Sequence, residues 1–217
     1  MTAPIPAPWR LQGNGYILLF RFNKDFLRQD DFFNKELASS YSGGLGAVML
    51  VDYQTSDAGP YGELLMIPGR VKQTNEKRYT ISKIYVSTMA SVENGRRNWG
   101  IPKELASFHF EKLGRNQEKI RIQKDGQQFL ELVVNSFGPS FPVNTKLFPI
   151  PLLQWDAQQE YRFEFQGRGK GRLTKISQVS VNQAYFPDFG KVKPLMAIQV
   201  HDFEIIFPIA EIKKRCE

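Results

Sequence analysis

The sequence predicts a mainly β (α+β) protein, an antiparallel barrel or sandwich with a few helices outside it. Three observations predict it. Short apolar or alternating runs recur at short intervals along the 217 residues, with turn residues between them, the pattern of packed antiparallel sheets. The dipeptide Asp125-Gly126 stands between two such runs, which is a strong hairpin signal. Helical periodicity is confined to three brief stretches.

Residues 16–22 form a compact apolar run with one charge, Arg21. Residues 46–53 form a second run and residues 63–67 a third. Residues 79–88 alternate in part, with Ile81, Lys83 and Tyr85 on one side. Residues 119–124 alternate cleanly, Ile120 and Ile122 against Arg121 and Gln123, and residues 129–134 run back after the turn. Tyr161, Phe163 and Phe165 alternate with Arg162 and Glu164. Gly167, Gly169 and Gly171 then predict a hairpin turn, because glycine supplies positive φ, and it leads into a strand over 173–181. Residues 196–207 make the last strand region. As for helices, 24–39 place Phe26, Leu27, Phe33 and Leu37 at helical spacing. Residues 93–99 predict a short helix that stops before Pro102. Residues 144–153 begin a helical pattern that Pro149 and Pro151 limit. With no internal repeat and no long linker, residues 1–217 are expected to form one domain.

Apolar residues make up 41% and charged residues 24%, ordinary values for a soluble globule. No run of 18 apolar residues occurs, so no membrane partner is expected. Residues 1–8 lack a basic segment followed by an apolar one, which argues against a secretory signal. The lone Cys216 can make no internal disulfide. A cytoplasmic location is expected. The net charge is +7, concentrated at 168–175 and 213–215. Neither stretch interleaves aromatics or matches a binding module, so they read as a solvated hairpin tip and tail, and no nucleic-acid partner is expected.

Several motifs fail. Gly43, Gly44 and Gly46 precede a strand, the wrong context for a dinucleotide loop. Residues 167–172 lack phosphate-loop spacing. The two histidines, His109 and His201, lie inside strand patterns, with no Cys or His pairs at metal spacing. A triad on either histidine lacks a Gly-x-Ser-x-Gly elbow. No metal and no cofactor are expected.

The informative stretch is 93–106. Lys103 follows Pro102, and Trp99, Ile101, Leu105 and Phe108 surround it in sequence. An amine attacks a carbonyl in its neutral form, and apolar surroundings disfavour the ammonium. On these residues alone a surface loop lysine is the commoner reading.

Gly95-Arg96, five residues, then Pro102-Lys103 resembles the active-site segment of the acetoacetate decarboxylase family, whose lysine forms a Schiff base. Residues 55–63, ending in Tyr61-Gly62-Glu63 and followed by Ile67-Pro68, resemble the family's stretch that carries a pocket glutamate. Residues 205–211 resemble its closing strand. The resemblance implies a cone-like antiparallel barrel, or double sandwich, with a few peripheral helices, and commonly a homo-oligomer. It implies a lyase acting on a small keto acid or related carbonyl compound. Decarboxylation of a β-keto acid is expected first. Aldol cleavage or dehydration through the same imine, or a binding protein that has lost turnover, are the alternatives. Lys103 is the expected nucleophile and Glu63 the proton shuttle, or else a structural carboxylate. Arg96 anchors the segment or binds an anionic group. Trp99, Tyr61 and Phe108 line the pocket or fill core.

Three positions depart from the family pattern. Glu104 stands where the family has a second lysine, and its charge would oppose activation unless it faces away. Asn14 aligns with an arginine suited to the substrate carboxylate, with Arg21 the nearest arginine downstream, so the acid-binding group is either missing or relocated to Arg96 or Arg97. Val48 aligns with a second pocket glutamate.

Overall fold

The structure, a computed structural model, describes residues 2–23, 26, 41, 44–73 and 76–214. The expected helix over 24–39 lies outside the described residues except for Phe26, which stacks on Phe22.

Ten strands form one curled, mainly antiparallel sheet. They are β1 (Trp9–Phe22), β2 (Gly44–Ser56), β3 (Tyr61–Ile67), β6 (Lys83–Val86), β7 (Lys103–Leu105), β8 (Ser107–Lys112), β9 (Gln117–Lys124), β10 (Gln127–Asn144), β13 (Gln166–Val181) and β14 (Met196–Phe207). Their order is β7-β6-β3-β2-β1-β14-β13-β10-β9-β8. The end strands β7 and β8 are separated in the chain by Ala106 alone, so the sheet curls into a nearly closed barrel. A second sheet, β15-β12-β11-β5-β4, is built from β4 (Arg70–Gln73), β5 (Glu76–Tyr79), β11 (Pro151–Trp155), β12 (Gln159–Glu164) and β15 (Glu211–Lys214).

Strand alternation sorts the apolar residues into two cores. Leu18, Phe20, Val48, Leu50, Leu64, Met66, Ile120, Ile122, Leu132 and Val134 fill one. The other takes the opposite face of β2, β3 and β6 through Val51, Tyr53, Tyr61, Leu65, Ile84 and Val86. It packs them on Trp99, Leu152, Tyr161 and Phe163.

The hairpin at Asp125-Gly126 is present, with φ of 52° and 78°, the left-handed pair that such a turn requires. Three sequence expectations are corrected. Gly167, Gly169 and Gly171 lie inside β13, not in a turn. A Cβ on Gly167 would meet Ile205 at 2.9 Å, one on Gly169 would meet Val200 at 2.8 Å, and one on Gly171 would meet Phe141 and Val143 at 2.7 Å. Close approach by neighbouring side chains, not positive φ, selects these glycines. The basic stretch beginning at Arg168 is therefore strand, with Arg168 paired to Glu204 and Lys170 to Asp202. Residues 144–153 form no helix: β10 ends at Asn144 and β11 begins at Pro151. Residues 79–88 are not one strand, because the chain leaves β5 in the smaller sheet at Tyr79 and enters β6 in the larger one at Lys83.

The helix α1 (Met89–Trp99) joins β6 to β7, which run parallel. Thr88 caps its N-terminus by accepting from Ser91 N at 3.3 Å. Gly100 ends it at φ 62°, the left-handed geometry of a helix stop. The helix thus starts four residues before the expected 93.

Candidate active site

Strand register sets the position of Lys103. Ile84 of β6 lies beside it in the parallel pairing, and Val86 of β6 lies opposite Glu63 of β3. Ile84 and Val86 share a face, so Lys103 and Glu63 share it too, with β6 between their strands. Each is 3% exposed. Lys103 Nζ donates to Glu63 Oε2 at 2.9 Å and to Ser91 Oγ at 3.0 Å. It stands 5.1 Å from the centroid of the Tyr61 ring. Tyr53 OH donates to Glu63 Oε1 at 3.2 Å, so both carboxylate oxygens are held.

The helix accounts for the Gly-Arg half of the motif. A Cβ on Gly95 would lie 2.6 Å from Lys103 Cδ and 2.8 Å from Cε. Only a hydrogen there lets the lysine stem cross the helix. Ser91, one turn earlier, lies on the same helix face. Arg96 Nε donates to the Lys103 carbonyl at 2.8 Å, pinning β7 to α1. The glycine makes the channel and the arginine fixes the backbone that enters it.

Burial, and then the negative charge of Glu63, push the phenols of Tyr53 and Tyr61 well above their ordinary pKa. For Tyr61 the Ser91 hydroxyl offsets part of the rise. Both phenols therefore stay protonated at neutral pH, and the Tyr53 phenol serves as a donor to Glu63. Glu104 pairs with Tyr85 in register and lies on the opposite face from Lys103. Lys83 and Lys124 both donate to it. Burial raises its pKa, but the hydrogen bonds from Lys124 and Lys83 outweigh that and hold it below the ordinary value. Its charge is spent on those two lysines.

The other expected residues are distributed as follows. Tyr61 stands at the amine. Trp99 shares the same core, where its indole N–H donates to the Pro208 carbonyl at 2.7 Å and its ring meets Trp9 edge-on at 4.9 Å; it fills core. Phe108 does not join Lys103. It packs against the other core and lies over Gly62, because Gly62 points to the opposite face of β3 from Glu63. Arg96 is exposed and lines a surface hollow of about 340 Å³ with Met89, Glu104 and Leu105. Arg97 donates to Asn94 at 3.0 Å. Arg21 is exposed opposite Leu45, and Asn14 accepts from the Asp202 backbone N–H at 3.2 Å. Val48 faces the barrel core, so it is not a pocket position; Val51 is the residue opposite Glu63. His109 is on the surface. His201 contacts Ser140 and Asp202, each at 3.3 Å, and Asp202 is exposed and bridged by Lys170, so water screens the set.

Sequence reasoning missed Ser91 and Tyr53. The signal for Ser91 was its spacing of four from Gly95 on one helix face. For Tyr53 it was the alternation of β2, which puts residues 51 and 53 on one side.

Among the described residues, no helix is long and apolar enough to cross a membrane, and no group of three His, Cys, Asp or Glu side chains is placed to hold a metal.

The candidate site is a buried amine set against a carboxylate on a curled, mainly antiparallel sheet, and the family into which the chain falls is one of lyase-type enzymes that act on small molecules. The family model for acetoacetate decarboxylase matches residues 11–147, more than half of the chain, and the chain belongs to that family. Its fold is similar to that of acetoacetate decarboxylase from Legionella pneumophila, with a TM-score of 0.74 at 13% identity over 98% of this chain and 92% of that one. It is also similar to the enduracididine biosynthesis enzyme MppR complexed with pyruvate, with a TM-score of 0.64 at 15% identity over 99% and 91%. An acetoacetate decarboxylase-like enzyme from Sphingomonas wittichii RW1 aligns with a TM-score of 0.63 at 13% identity over 96% and 93%. No curated protein sequence matches the chain.

Proposed function

We propose that this protein is a Schiff-base-forming lyase in which Lys103 condenses with a small carbonyl substrate and Glu63 shuttles protons. The observation that carries the proposal is the Lys103 amine, 3% exposed and 2.9 Å from Glu63 Oε2. A proton passed along that hydrogen bond leaves a free amine beside a carboxylic acid, the pair that imine formation needs. The resulting iminium is an electron sink. With a β-keto acid, the carbon–carbon bond to the carboxylate breaks, carbon dioxide leaves, and the electron pair is held as an enamine. Glu63, a carboxylate once the iminium has formed, takes up a proton from water and gives it to carbon, and a second water releases the ketone. Tyr53 holds Glu63 in place, and Tyr61 covers the amine.

Aldol cleavage or dehydration through the same imine is the second reading. It is favoured by the arginines: Arg96 is bound to the Lys103 carbonyl, Arg97 to Asn94, and Arg21 is exposed. Those reactions need the carboxylate base and no arginine for an acid group. Assembly into a homo-oligomer belongs to the same proposal, with exposed Leu147 and Phe148 available to a second copy.

The test is borohydride trapping. The protein is incubated with a panel of keto acids, ketones and aldehydes, reduced, and weighed intact. A mass gain on Lys103 that Lys103→Ala abolishes supports the imine. Carbon dioxide release then separates decarboxylation from aldol chemistry. Ligand binding without any adduct across the panel would identify a binding protein.

A further inference from the structure

We propose that Ser91 is a further catalytic residue, whose hydroxyl relays a proton between Lys103 Nζ and the substrate carbonyl oxygen while the imine forms. The proposal rests on Lys103 being the nucleophile. Three observations carry it. Ser91 is fully buried, at 0% exposure, and a buried hydroxyl is costly unless hydrogen-bonded. Helix capping does not use its hydroxyl, because Thr88 is the cap and Ser91 contributes only its backbone N–H there. Its Oγ accepts from Lys103 Nζ at 3.0 Å, so it touches the reacting atom. A serine hydroxyl accepts one proton while keeping its own to donate, which is what a relay requires.

The steps balance. A proton first moves from Nζ to Glu63 Oε2, leaving an amine and a carboxylic acid. The amine attacks, a C–N bond forms, and the carbonyl π pair moves to oxygen. The nitrogen is now positive and the oxygen negative, one bond either side of the same carbon. Ser91 takes a proton from nitrogen and gives its own to oxygen, producing a neutral carbinolamine. Glu63 protonates that hydroxyl, the C–O bond breaks, and water leaves as the nitrogen lone pair forms C=N. Lys103 began with three N–H bonds and ends with one. One proton reached the departing water through Glu63 and one through Ser91, and Glu63 is again a carboxylate facing the iminium. In a site this closed, Ser91 takes the part that bulk water plays in solution.

The experiment times adduct formation with acetone as the probe. Borohydride is added at intervals and intact mass gives the labelled fraction. Ser91→Ala is expected to label about 10²-fold more slowly or worse, the usual contribution of a positioned proton-transfer group. It still reaches the wild-type final extent, because a relay lowers the barrier in both directions. Ser91→Thr keeps the hydroxyl and recovers most of the rate. Labelling of Ser91→Ala at the wild-type rate overturns the relay. So does a wild-type rate with a lower final extent, which marks an effect on affinity alone. A wild-type protein that gains no mass on Lys103 with acetone or acetaldehyde removes the Lys103 nucleophile itself, and the relay with it.

Discussion

Gly95→Ala sets helix propensity against the site. In a helix interior, replacing glycine by alanine stabilises by about 1 kcal/mol through backbone entropy. For a chain of this size that is worth about 2–4 °C in Tm. Here the new methyl would sit 2.6 Å from Lys103 Cδ and 2.8 Å from Cε, where ordinary contact begins near 3.4 Å. The lysine stem must give way by about 0.8 Å. Its amine hydrogen bonds are 2.9 and 3.0 Å long, and a displacement of that size takes them past the range in which they count as bonds. A misplacement of about 1 Å costs about 10²-fold in rate. Gly95→Ala is therefore expected to slow borohydride labelling of Lys103 by about 10²-fold, and the collision cancels its gain in Tm. Timed trapping and a thermal melt read both quantities. A variant that melts 2–4 °C higher and labels at the wild-type rate would refute the account of why glycine stands there.

The remaining predictions use the same assays. Lys103→Ala leaves Glu63 buried without its cation and should lower stability by about 3–5 kcal/mol in urea unfolding; a loss below about 1 kcal/mol would contradict the pairing. Arg96→Gln removes the donor to the Lys103 carbonyl and should cost about 1.5–3 kcal/mol, with slower labelling. Glu104→Gln tests which face that carboxylate occupies. Its folded pKa is depressed below 4.5, so its stabilising effect is complete above that value and disappears as pH falls through the lower, folded-state value. Wild type should exceed Glu104→Gln in stability at pH 7 and converge with it in acid, while Lys103 labelling stays unchanged. Gln154 Nε2 is buried with no hydrogen-bond partner among the described residues, so Gln154→Leu should raise stability by about 1–3 kcal/mol; a loss instead would mean that the amide serves a bound partner.

Much of the fold was legible because its signals are local. The β9–β10 hairpin follows from a dipeptide whose two residues both take positive φ. The strands of the first core follow from alternation. Gly167, Gly169 and Gly171 misled because glycine has two uses, turning a chain and admitting a neighbour. Which one applies depends on Ile205, Val200 and Phe141, residues far away in sequence. At residues 80–82 the chain passes from one sheet to the other, which no periodicity announces. In the candidate site, Lys103, Glu63 and Tyr61 could be located through the resemblance, and the outward turn of Glu104 through strand alternation. Phe108 lies close to Lys103 in sequence, but the sheet separates them. Ser91 and Tyr53 come to the amine through α1 and β2, and only the docking of those elements reveals them.

The β6–α1–β7 crossover has one more consequence. Lys83 to Leu105 is a short contiguous span, so Lys103 and the helix that shelters it can form together with little loop-closure entropy. Glu63 arrives on a separate strand. Until β3 docks, the amine stands open to solvent, and an acylating reagent supplied early in refolding should modify Lys103 and then lose access to it. Chemical protection of one lysine thus becomes a clock for the closing of the barrel.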